Sequence, residues 1–449
     1  MSQNKKNVRE IALDVIESVE KNQAYSNLLL NTVINKNKLS QADSALLTEI
    51  AYGTIQRKMT LDYYLQPFIK NQKKTLSWVI NLLRLSLYQT IYLDKVPDHA
   101  IIFEAVEIAK KRGHKGISSM VNGVLRNIQR NGVPSLEDIE DEAKKISIST
   151  STPEWLVERW IGQLGKERTE EMCELNLIPP VQTARVNTKK ITRDELISAL
   201  TEEGFQVEKS TIIPEAIHSL SGNLAHSESY SMGLLSIQDE SSMMAAYALG
   251  ASGNDMVLDC CAAPGGKTTH IAEGLSTGQV TALDLHEHKV KLIKEQSERL
   301  GLRNIKVLAY DSRKVQEVFN KEGFDRILVD APCSGLGVMR RKPDVKYTKS
   351  KDDIMRLSVI QQNLLEAAAP LLKKGGRLIY STCTVDREEN DEVAEAFLAA
   401  NPDFEMDTEL KDRMPDGIKP FAVNHKIQVL PQDFGGDGFF IASFRKKVQ

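Results

Sequence analysis

Residues 258–269 read LDCCAAPGGKTT, and in this stretch a short hydrophobic strand runs into a glycine-rich turn that opens a helix. Open α/β sheets bind ligands at the carboxyl ends of their strands, and glycine lets the backbone approach a ligand closely. The stretch therefore predicts a turn that binds a nucleotide-like cofactor. The alternative is a turn with a purely structural role.

Two common phosphate-binding loops do not fit this turn. A P-loop needs a glycine five residues before Gly266, where this chain has Cys261. The dinucleotide pattern GxGxxG needs glycine at Cys261 and also at Ala263. Both phosphate-cradling patterns are therefore excluded.

Two acidic residues follow the next two strands. Asp284 closes QVTALD, where a carboxylate can accept hydrogen bonds from ribose hydroxyls, and Asp311 follows IKVLAY, in a position to contact an adenine amino group. Either residue alone could be a helix cap. Together with the glycine turn they outline an adenosine-bearing ligand, and the missing phosphate loops favour S-adenosylmethionine over NAD or ATP.

The residues around this turn predict an α/β domain over 231–449. Apolar runs (MVLDC, QVTALD, IKVLAY, FDRILVD and GGRLIYS) alternate with helical segments near 267–275, 286–300, 353–372 and 388–400. Such alternation is typical of a doubly wound, mainly parallel sheet. The end of the chain, GFFIASFRKK, adds a final strand.

The front of the chain predicts different folds. Apolar residues recur at helical spacing to about residue 134. One of the predicted helices begins behind Ser40, and another ends at Gly113. Residues 1–145 are therefore predicted to be an all-α domain, with an acidic connector at 135–145. Residues 146–230 begin with a helix and continue through TARVNT, a capped helix and FQVEKS. They predict a small α+β subdomain.

Composition limits the class of protein. The 449 residues carry a net charge of -3, but the first 134 hold 19 Lys and Arg against 11 Asp and Glu, a balance of +8 that leaves -11 for the remainder. A basic N-terminal region favours binding to a polyanion, although lysines can also simply solvate the surfaces of helices. The start has no long apolar stretch, and the five cysteines form no C-x-x-C pair, so we predict a cytoplasmic protein without membrane association, disulfide framework or bound metal.

Two cysteines follow later strands of the predicted sheet: Cys333 in VDAPCSGLG and Cys383 in IYSTCTVDREEN. Carbon 5 of cytosine is too weak a nucleophile to take a methyl group until a thiolate adds to carbon 6, and a base must then remove the carbon 5 proton. Asp330 could hydrogen-bond the pyrimidine and favour cytosine over uracil. This chemistry does not choose which cysteine attacks, and the alternative is that both are small buried hydrophobes.

With LDCCAAPGGKTT, VDAPCSGLG and YSTCT in this order, the chain resembles the NOL/NOP/Sun family of RNA cytosine-5 methyltransferases. The helical front resembles a NusB-like RNA-binding domain, a combination similar to the bacterial RsmB (Sun) branch that acts on 16S ribosomal RNA. The resemblance covers nearly the whole chain. It implies a Rossmann-like class I methyltransferase domain that uses S-adenosyl-L-methionine and has 16S ribosomal RNA as its partner.

The resemblance also implies residue roles. Asp284 contacts the ribose, Asp311 lies near the adenine, and Asp330 contacts the cofactor side and the target base. Cys383, in the TC motif, is implied as nucleophile, and Cys333, in the PC motif, assists release. The cofactor turn consists of Cys261, Ala262, Ala263, Pro264, Gly265, Gly266 and Lys267.

Further expectations concern flanking residues and rival functions. Gln238 and Asp239 are expected near the methionine end of the cofactor pocket, and Arg340, Arg341 and Lys342 suit RNA phosphates or else a solvated turn. A nonenzymatic RNA-binding or antitermination factor is disfavoured by the intact motifs. An amino methyltransferase would carry [DN]-P-P-[YF] in place of DAPC. Because one chain supplies both sites, we predict a monomer.

Overall fold

The structure, a computed structural model, describes residues 7–22, 26–70 and 74–448. The chain divides into two compact units, the first formed by Met1–Pro179 with Met339–Thr348, the second by Pro180–Val338 with Lys349–Gln449. The division into domains at residues 145 and 230 stays a prediction. Residues 1–6, part of the start in which no long apolar stretch was found, lie outside the described residues.

The first unit is helical where it is described. Ser40 caps one helix by accepting from the amide of Asp43 at 3.1 Å, and the helix before Gly113 ends there, as predicted. The predicted connector is partly helical, because Asp141 caps a helix that begins at Glu142. The helices are Val8–Asn22, Ser26–Asn37, Gln41–Gln56, Lys58–Leu65, Ser77–Tyr92, Asp98–Arg112, Lys115–Asn131, Glu142–Thr150, Glu154–Leu164, Lys166–Leu175 and the one-turn Val345–Thr348.

The core of the first unit consists of the apolar faces of these helices. Leu47, Ile50, Leu83 and Val121, from three different helices, are completely buried in one cluster. Apolar residues spaced three and four apart lie on one side of a helix, so each helix contributes one stripe to this core. The predicted all-α fold of the front of the chain is confirmed.

A small antiparallel sheet opens the second unit. Its strands are β1 (Gln182–Val186), β2 (Gln206–Lys209), β3 (Ala216–Ser221) and β4 (Leu235–Ile237), in the order β2-β3-β1-β4. The helix Arg193–Glu202 is capped by Thr192, whose hydroxyl accepts from the amide of Glu195. The predicted strand, helix, strand unit is present, and β3 and β4 complete a sheet that the sequence analysis did not predict.

The large sheet of the second unit holds the remaining strands. They are β5 (Met256–Asp259), β6 (Gln279–Asp284), β7 (Ile305–Ala309), β8 (Phe324–Asp330), β9 (Leu372–Thr382), β10 (Phe404–Met406), β11 (Ala422–Val423), β12 (Lys426–Val429) and β13 (Phe439–Lys446). The order is β11-β12-β13-β9-β8-β5-β6-β7, with β10 beside β13. Strands β5 to β9 pair in parallel and the others antiparallel, which confirms the doubly wound, mainly parallel sheet.

Helices cover both faces of this sheet. Successive residues of a strand point to opposite faces, so Leu258 and Ile327 lie in one buried cluster, and Val257 and Leu328 lie in another. The helices of the second unit are Arg193–Glu202, Glu228–Ser231, Glu240–Leu249, Gly266–Gly274, Glu287–Leu300, Lys351–Ala368, Asp391–Ala400, Leu410–Arg413 and Pro431–Phe434. No helix in the described part of the chain is both long and apolar enough to cross a membrane.

Candidate active site

The cofactor turn joins β5 to the helix Gly266–Gly274 at the carboxyl edge of the parallel strands. The amide of Cys260 donates to the carbonyl of Leu328 in β8 at 2.9 Å, and the amide of Ala262 donates to the carbonyl of Leu283 in β6 at 2.8 Å. Gly265 has φ +107°, and a Cβ there would lie 3.3 Å from the Cα of Ile293. Glycine is therefore required at this bend, because L side chains rarely adopt that φ.

Two buried polar atoms beside this turn have no hydrogen-bond partner among the described residues: Nε2 of Gln238 and Oδ1 of Asp259. The Gln238 side chain lies 3.8 Å from where a Cβ of Gly266 would stand. Its Oε1 accepts from Nε of Arg185 at 2.8 Å. Buried polar atoms are costly to leave unpaired, so this donor and acceptor fit a polar ligand at the turn.

Asp259 differs from an ordinary surface carboxyl. It is buried, its Oδ2 accepts from the hydroxyl of Thr268 at 2.6 Å, and burial raises its pKa to about 7. The Thr268 hydroxyl lies in the first turn of the helix Gly266–Gly274. Asp259 thus ties the end of β5 to the start of that helix.

The two predicted adenosine contacts end the next two strands. Asp284 is mostly buried at the end of β6, and its Oδ1 accepts from the amide of His286 at 3.2 Å. Asp311 follows β7, accepts from the amide of Arg313 at 3.0 Å and pairs with its guanidinium at 2.7 Å, which lowers the pKa of Asp311. Asp311 is therefore also a helix cap, one of the two functions considered for it.

Lys267 and Asp330 form an ion pair between the cofactor turn and the end of β8. Lys267 Nζ lies 2.8 Å from Oδ2 of Asp330, whose Oδ1 accepts from the hydroxyl of Ser381 at 2.8 Å. Burial acts to lower the pKa of Lys267, but the charge of Asp330 and its hydrogen bond to Lys267 outweigh burial, and the net shift of the pKa is upward. An ammonium paired with a carboxylate is therefore held beside the end of β8.

The two motif cysteines lie together. The sulfur of Cys333 is 3.4 Å from the sulfur of Cys383, and both side chains are partly exposed free thiols. The hydrogen bond to Cys383 and burial raise the pKa of Cys333 well above its usual value. A charge on one sulfur disfavours a charge on the other, so the pair holds one proton when one thiol ionises.

Other predicted residues lie elsewhere. Arg340 is buried within the first unit, where its Nε donates to the carbonyl of Ile178 at 2.9 Å, so the predicted phosphate contact is wrong for this residue. The Arg340 guanidinium instead supports the backbone at Ile178. The rings of His286 and His288 stack on each other.

Sequence reasoning missed three buried residues that support the site: Arg185, Glu389 and Asn390. Arg185 lies between Ala184 and Val186 in the mostly buried strand β1. A charge between two apolar residues was a detectable signal, because a buried charge needs a partner. Glu389 and Asn390 end the quoted IYSTCTVDREEN stretch, but nothing in their spacing distinguishes them from a solvated turn.

Backbone segments beside the two cysteines come into close contact at Gly337. The amide of Gly337 donates to the carbonyl of Cys383 at 3.0 Å, and the amide of Gly438 donates to the carbonyl of Gly337 at 2.8 Å. A Cβ on Gly337 would lie 2.1 Å from the carbonyl oxygen of Gly438. We expect Gly337→Ala to cost about 1–3 kcal/mol and to separate these loops, because backbone atoms must shift.

Hydrogen exchange measured by mass spectrometry over residues 333–338 and 436–440 checks this expectation. Exchange should accelerate in both segments of Gly337→Ala. The matched control is Gly274→Ala, where a Cβ would make an ordinary 3.4 Å contact with the carbonyl of Ala251. Unchanged exchange in the Gly337 variant would contradict the close crossing.

Three family models match successive parts of the chain. The NusB family matches residues 6–130, the RsmF/B-like ferredoxin-like domain matches 152–222, and the 16S rRNA methyltransferase RsmB/F model matches 246–445. The matches follow the predicted order of an all-α front, a small α+β subdomain and a methyltransferase domain. They confirm the predicted fold class.

A curated relative and a solved structure each match 99% of this chain, and a second solved structure matches part of it. The probable ribosomal RNA small subunit methyltransferase B of Bacillus subtilis (strain 168) is 56% identical over 99% of each chain. A solved structure named PH0851 superposes with a TM-score of 0.82 at 26% identity, covering 99% of this chain and all of that one. A methyltransferase homolog protein from Pyrococcus horikoshii has a TM-score of 0.57 at 29% identity, covering 69% of this chain and all of that one.

Proposed function

The chain belongs to the RsmB/F family of 16S rRNA methyltransferases, and we propose that it transfers a methyl group from S-adenosylmethionine to carbon 5 of a cytosine in 16S ribosomal RNA. The observation that carries the proposal is the pair of thiols 3.4 Å apart at the ends of β8 and β9. Carbon 5 methylation needs both a nucleophile and a proton acceptor at adjacent ring carbons. Two neighbouring sulfurs meet that need.

The cofactor would be held by the turn and by the two carboxylates that follow it. Cys261, Ala262, Ala263, Pro264, Gly265, Gly266 and Lys267 would line it, Asp284 would accept from its ribose, and Asp311 would lie near its adenine. The unpartnered Gln238 Nε2 suits its polar methionine end. When bound, S-adenosylmethionine supplies an electrophilic methyl group on a positively charged sulfur.

Cys383 would act as the nucleophile. Its thiolate forms a bond to carbon 6 of the cytosine, and the electron pair of the 5,6 double bond moves toward carbon 5, which becomes nucleophilic. The Lys267 ammonium, held by Asp330, would stabilise the negative charge of that thiolate. Asp330 would accept a hydrogen bond from the protonated pyrimidine edge and so favour cytosine over uracil.

Cys333 would complete the reaction. Once the Cys383 sulfur is bonded to carbon 6 and uncharged, Cys333 loses its own proton to water. Its thiolate then takes the proton from methylated carbon 5, the electron pair restores the double bond, and the Cys383 thiolate leaves carbon 6. The raised pKa of Cys333 suits a group that ends the step protonated. The choice of Cys383 as nucleophile and Cys333 as base rests on resemblance to the family, because either of two thiols 3.4 Å apart could attack the base.

The proposal extends to the partner and the place of action. The NusB-like domain, with the balance of +8 in residues 1–134, would bind the ribosomal RNA through its phosphates. We further propose that the protein acts in the cytoplasm as a monomer, because one chain supplies the cofactor turn and both cysteines. No grouping of His, Cys, Asp or Glu suited to a metal ion occurs within residues 7–22, 26–70 and 74–448.

The experiment that tests the proposal is methyl transfer from labelled S-adenosylmethionine to 16S ribosomal RNA that lacks the modification. Nuclease digestion and chromatography should recover the label as 5-methylcytidine at one site. Fully methylated 16S ribosomal RNA is the control and should take up no label. Label recovered in an N-methylated nucleoside, or no transfer at all, would refute the proposal.

A further inference from the structure

The cysteine loops are defined here as the PC loop, residues 331–337, and the TC loop, residues 383–388. β8 ends at Asp330 and β9 at Thr382, so both cysteines lie just beyond their strands. Strand pairing stops at Asp330 opposite Ser381. Something other than the sheet must therefore hold the two sulfurs at 3.4 Å.

Glu389 bonds to the PC loop. The side chain is completely buried, and its Oε1 accepts from the amide of Ser334 at 2.8 Å and from Nε2 of Gln361 at 3.1 Å. Its Oε2 accepts a short hydrogen bond from the hydroxyl of Ser334. Ser334 directly follows Cys333, so this carboxyl fixes the backbone next to the sulfur.

The same contact reaches the TC loop. The hydroxyl of Ser334 lies 2.9 Å from the hydroxyl of Thr384, which directly follows Cys383. Each cysteine is thus followed by a hydroxyl residue, and the two hydroxyls bond to each other. Glu389 accepts a hydrogen bond from the Ser334 hydroxyl of this pair.

Asn390 bonds to both sides of Cys383. Its Oδ1 accepts from the hydroxyl of Thr382 at 2.5 Å, and its Nδ2 donates to the carbonyl of Thr384 at 3.1 Å and to Oε1 of Gln428 at 3.0 Å. The side chain is completely buried. Because all these atoms are paired out of water, small displacements leave polar groups unsatisfied and are costly.

We propose that Glu389 and Asn390 are positioning residues which, through Ser334 and Thr384, set the spacing of the two active-site sulfurs. The four residues form a thiol clamp. Its effect on the reaction rests on the proposed function, because Cys383 and Cys333 must reach adjacent carbons of one base in successive steps. Its effect on the sulfur spacing does not rest on that function.

Disulfide formation tests the spacing by itself. Diamide, a diazene oxidant, accepts two electrons and two protons from the two thiols, forms the Cys333–Cys383 disulfide and becomes a hydrazine. We expect Ser334→Ala and Glu389→Ala to slow this closure about tenfold or more, since small misplacements of reacting groups cost large factors in rate. Peptide mapping by mass spectrometry measures the rate.

Two matched variants separate positioning from general disturbance. Glu389→Gln keeps one oxygen for the Ser334 amide and places an amide donor toward the Ser334 hydroxyl, so closure should stay near the wild-type rate. Glu392→Gln changes an exposed carboxyl one turn away and should also match the wild type. Ser334→Ala removes one hydroxyl only, and unchanged cofactor affinity by calorimetry shows that this variant is folded.

A second experiment, with RNA as the substrate, tests the effect of the thiol clamp on the reaction. Ser334→Ala should accumulate a covalent protein–RNA complex, because Cys383 still attacks while the displaced Cys333 removes the proton slowly. Equal closure rates and no accumulated complex in Ser334→Ala and Glu389→Ala would overturn the thiol clamp. Slowed closure with no RNA methylation by the wild type would support the clamp and refute the proposed function.

Discussion

Methyl transfer is expected to fall by about a thousandfold or more in Cys383→Ala, since removing a nucleophile removes the covalent route altogether. Cys333→Ala is expected to behave differently. Its Cys383 still attacks carbon 6, but the carbon 5 proton stays, so a covalent protein–RNA complex accumulates. Single-turnover transfer of labelled methyl groups, followed by a denaturing gel, measures both quantities.

The control for these variants is Cys260→Ala. Cys260 is buried in the sheet core two residues before Ala262, so its loss tests the general effect of removing a thiol beside the cofactor turn. It should retain methyl transfer. Accumulated complex in Cys383→Ala with loss of attack in Cys333→Ala would reverse the assigned roles.

Loss of the buried Arg185 is the second large effect. Its side chain has no exposed surface, and it pairs with Glu273, donates to Gln238 at 2.8 Å and to Thr269 at 3.2 Å. Burial raises the pKa of Glu273, and Arg185 opposes that shift. Arg185→Met leaves this carboxylate buried without its cation, and we expect a loss of about 3–5 kcal/mol in the free energy of unfolding.

Pulsed alkylation of Cys260 across a urea series measures this loss. Cys260 is 1% exposed and lies in the second unit, so it reacts only when that unit opens. The three tryptophans, at 78, 155 and 160, all lie in the first unit and do not report this event. A lower urea midpoint for alkylation is therefore the expected result.

The matched control is a surface ion pair between β2 of the same small sheet and the helix Arg193–Glu202. Lys209 and Asp194 are 50% and 73% exposed, so Lys209→Met should cost less than about 1 kcal/mol. Adding Glu273→Met to Arg185→Met should restore part of the stability, because replacing both partners removes the uncompensated charge. A wild-type midpoint in Arg185→Met alone would show that the pair contributes nothing.

Most elements of the sheet were predictable because their signals are local. LDCCAAPGGKTT predicted a strand, a turn and a helix, and β5, the bend at Gly265 and the helix Gly266–Gly274 confirm all three. Parallel strands place their carboxyl ends at one edge, so residues that follow β8 and β9 are expected to lie near each other. The 3.4 Å between the sulfurs agrees with that expectation.

The antiparallel edge of the large sheet was largely missed. Strands β10, β11 and β12 are two to four residues long, and a periodic pattern cannot be detected over so few positions. The same holds for β4. Short strands form because a longer neighbour, such as β13, supplies their hydrogen bonds.

The order of the motifs and the spacing of apolar residues thus predicted the fold class, and they placed the glycine-rich turn and both cysteines directly after strands, from the chain alone. The tertiary structure was needed for the residues that hold them in place. Glu389 meets Ser334 across 55 positions, and Arg185 meets Glu273 across 88. The structural role of a buried charge or amide depends on its partner, and only the folded chain brings such distant partners within hydrogen-bond distance.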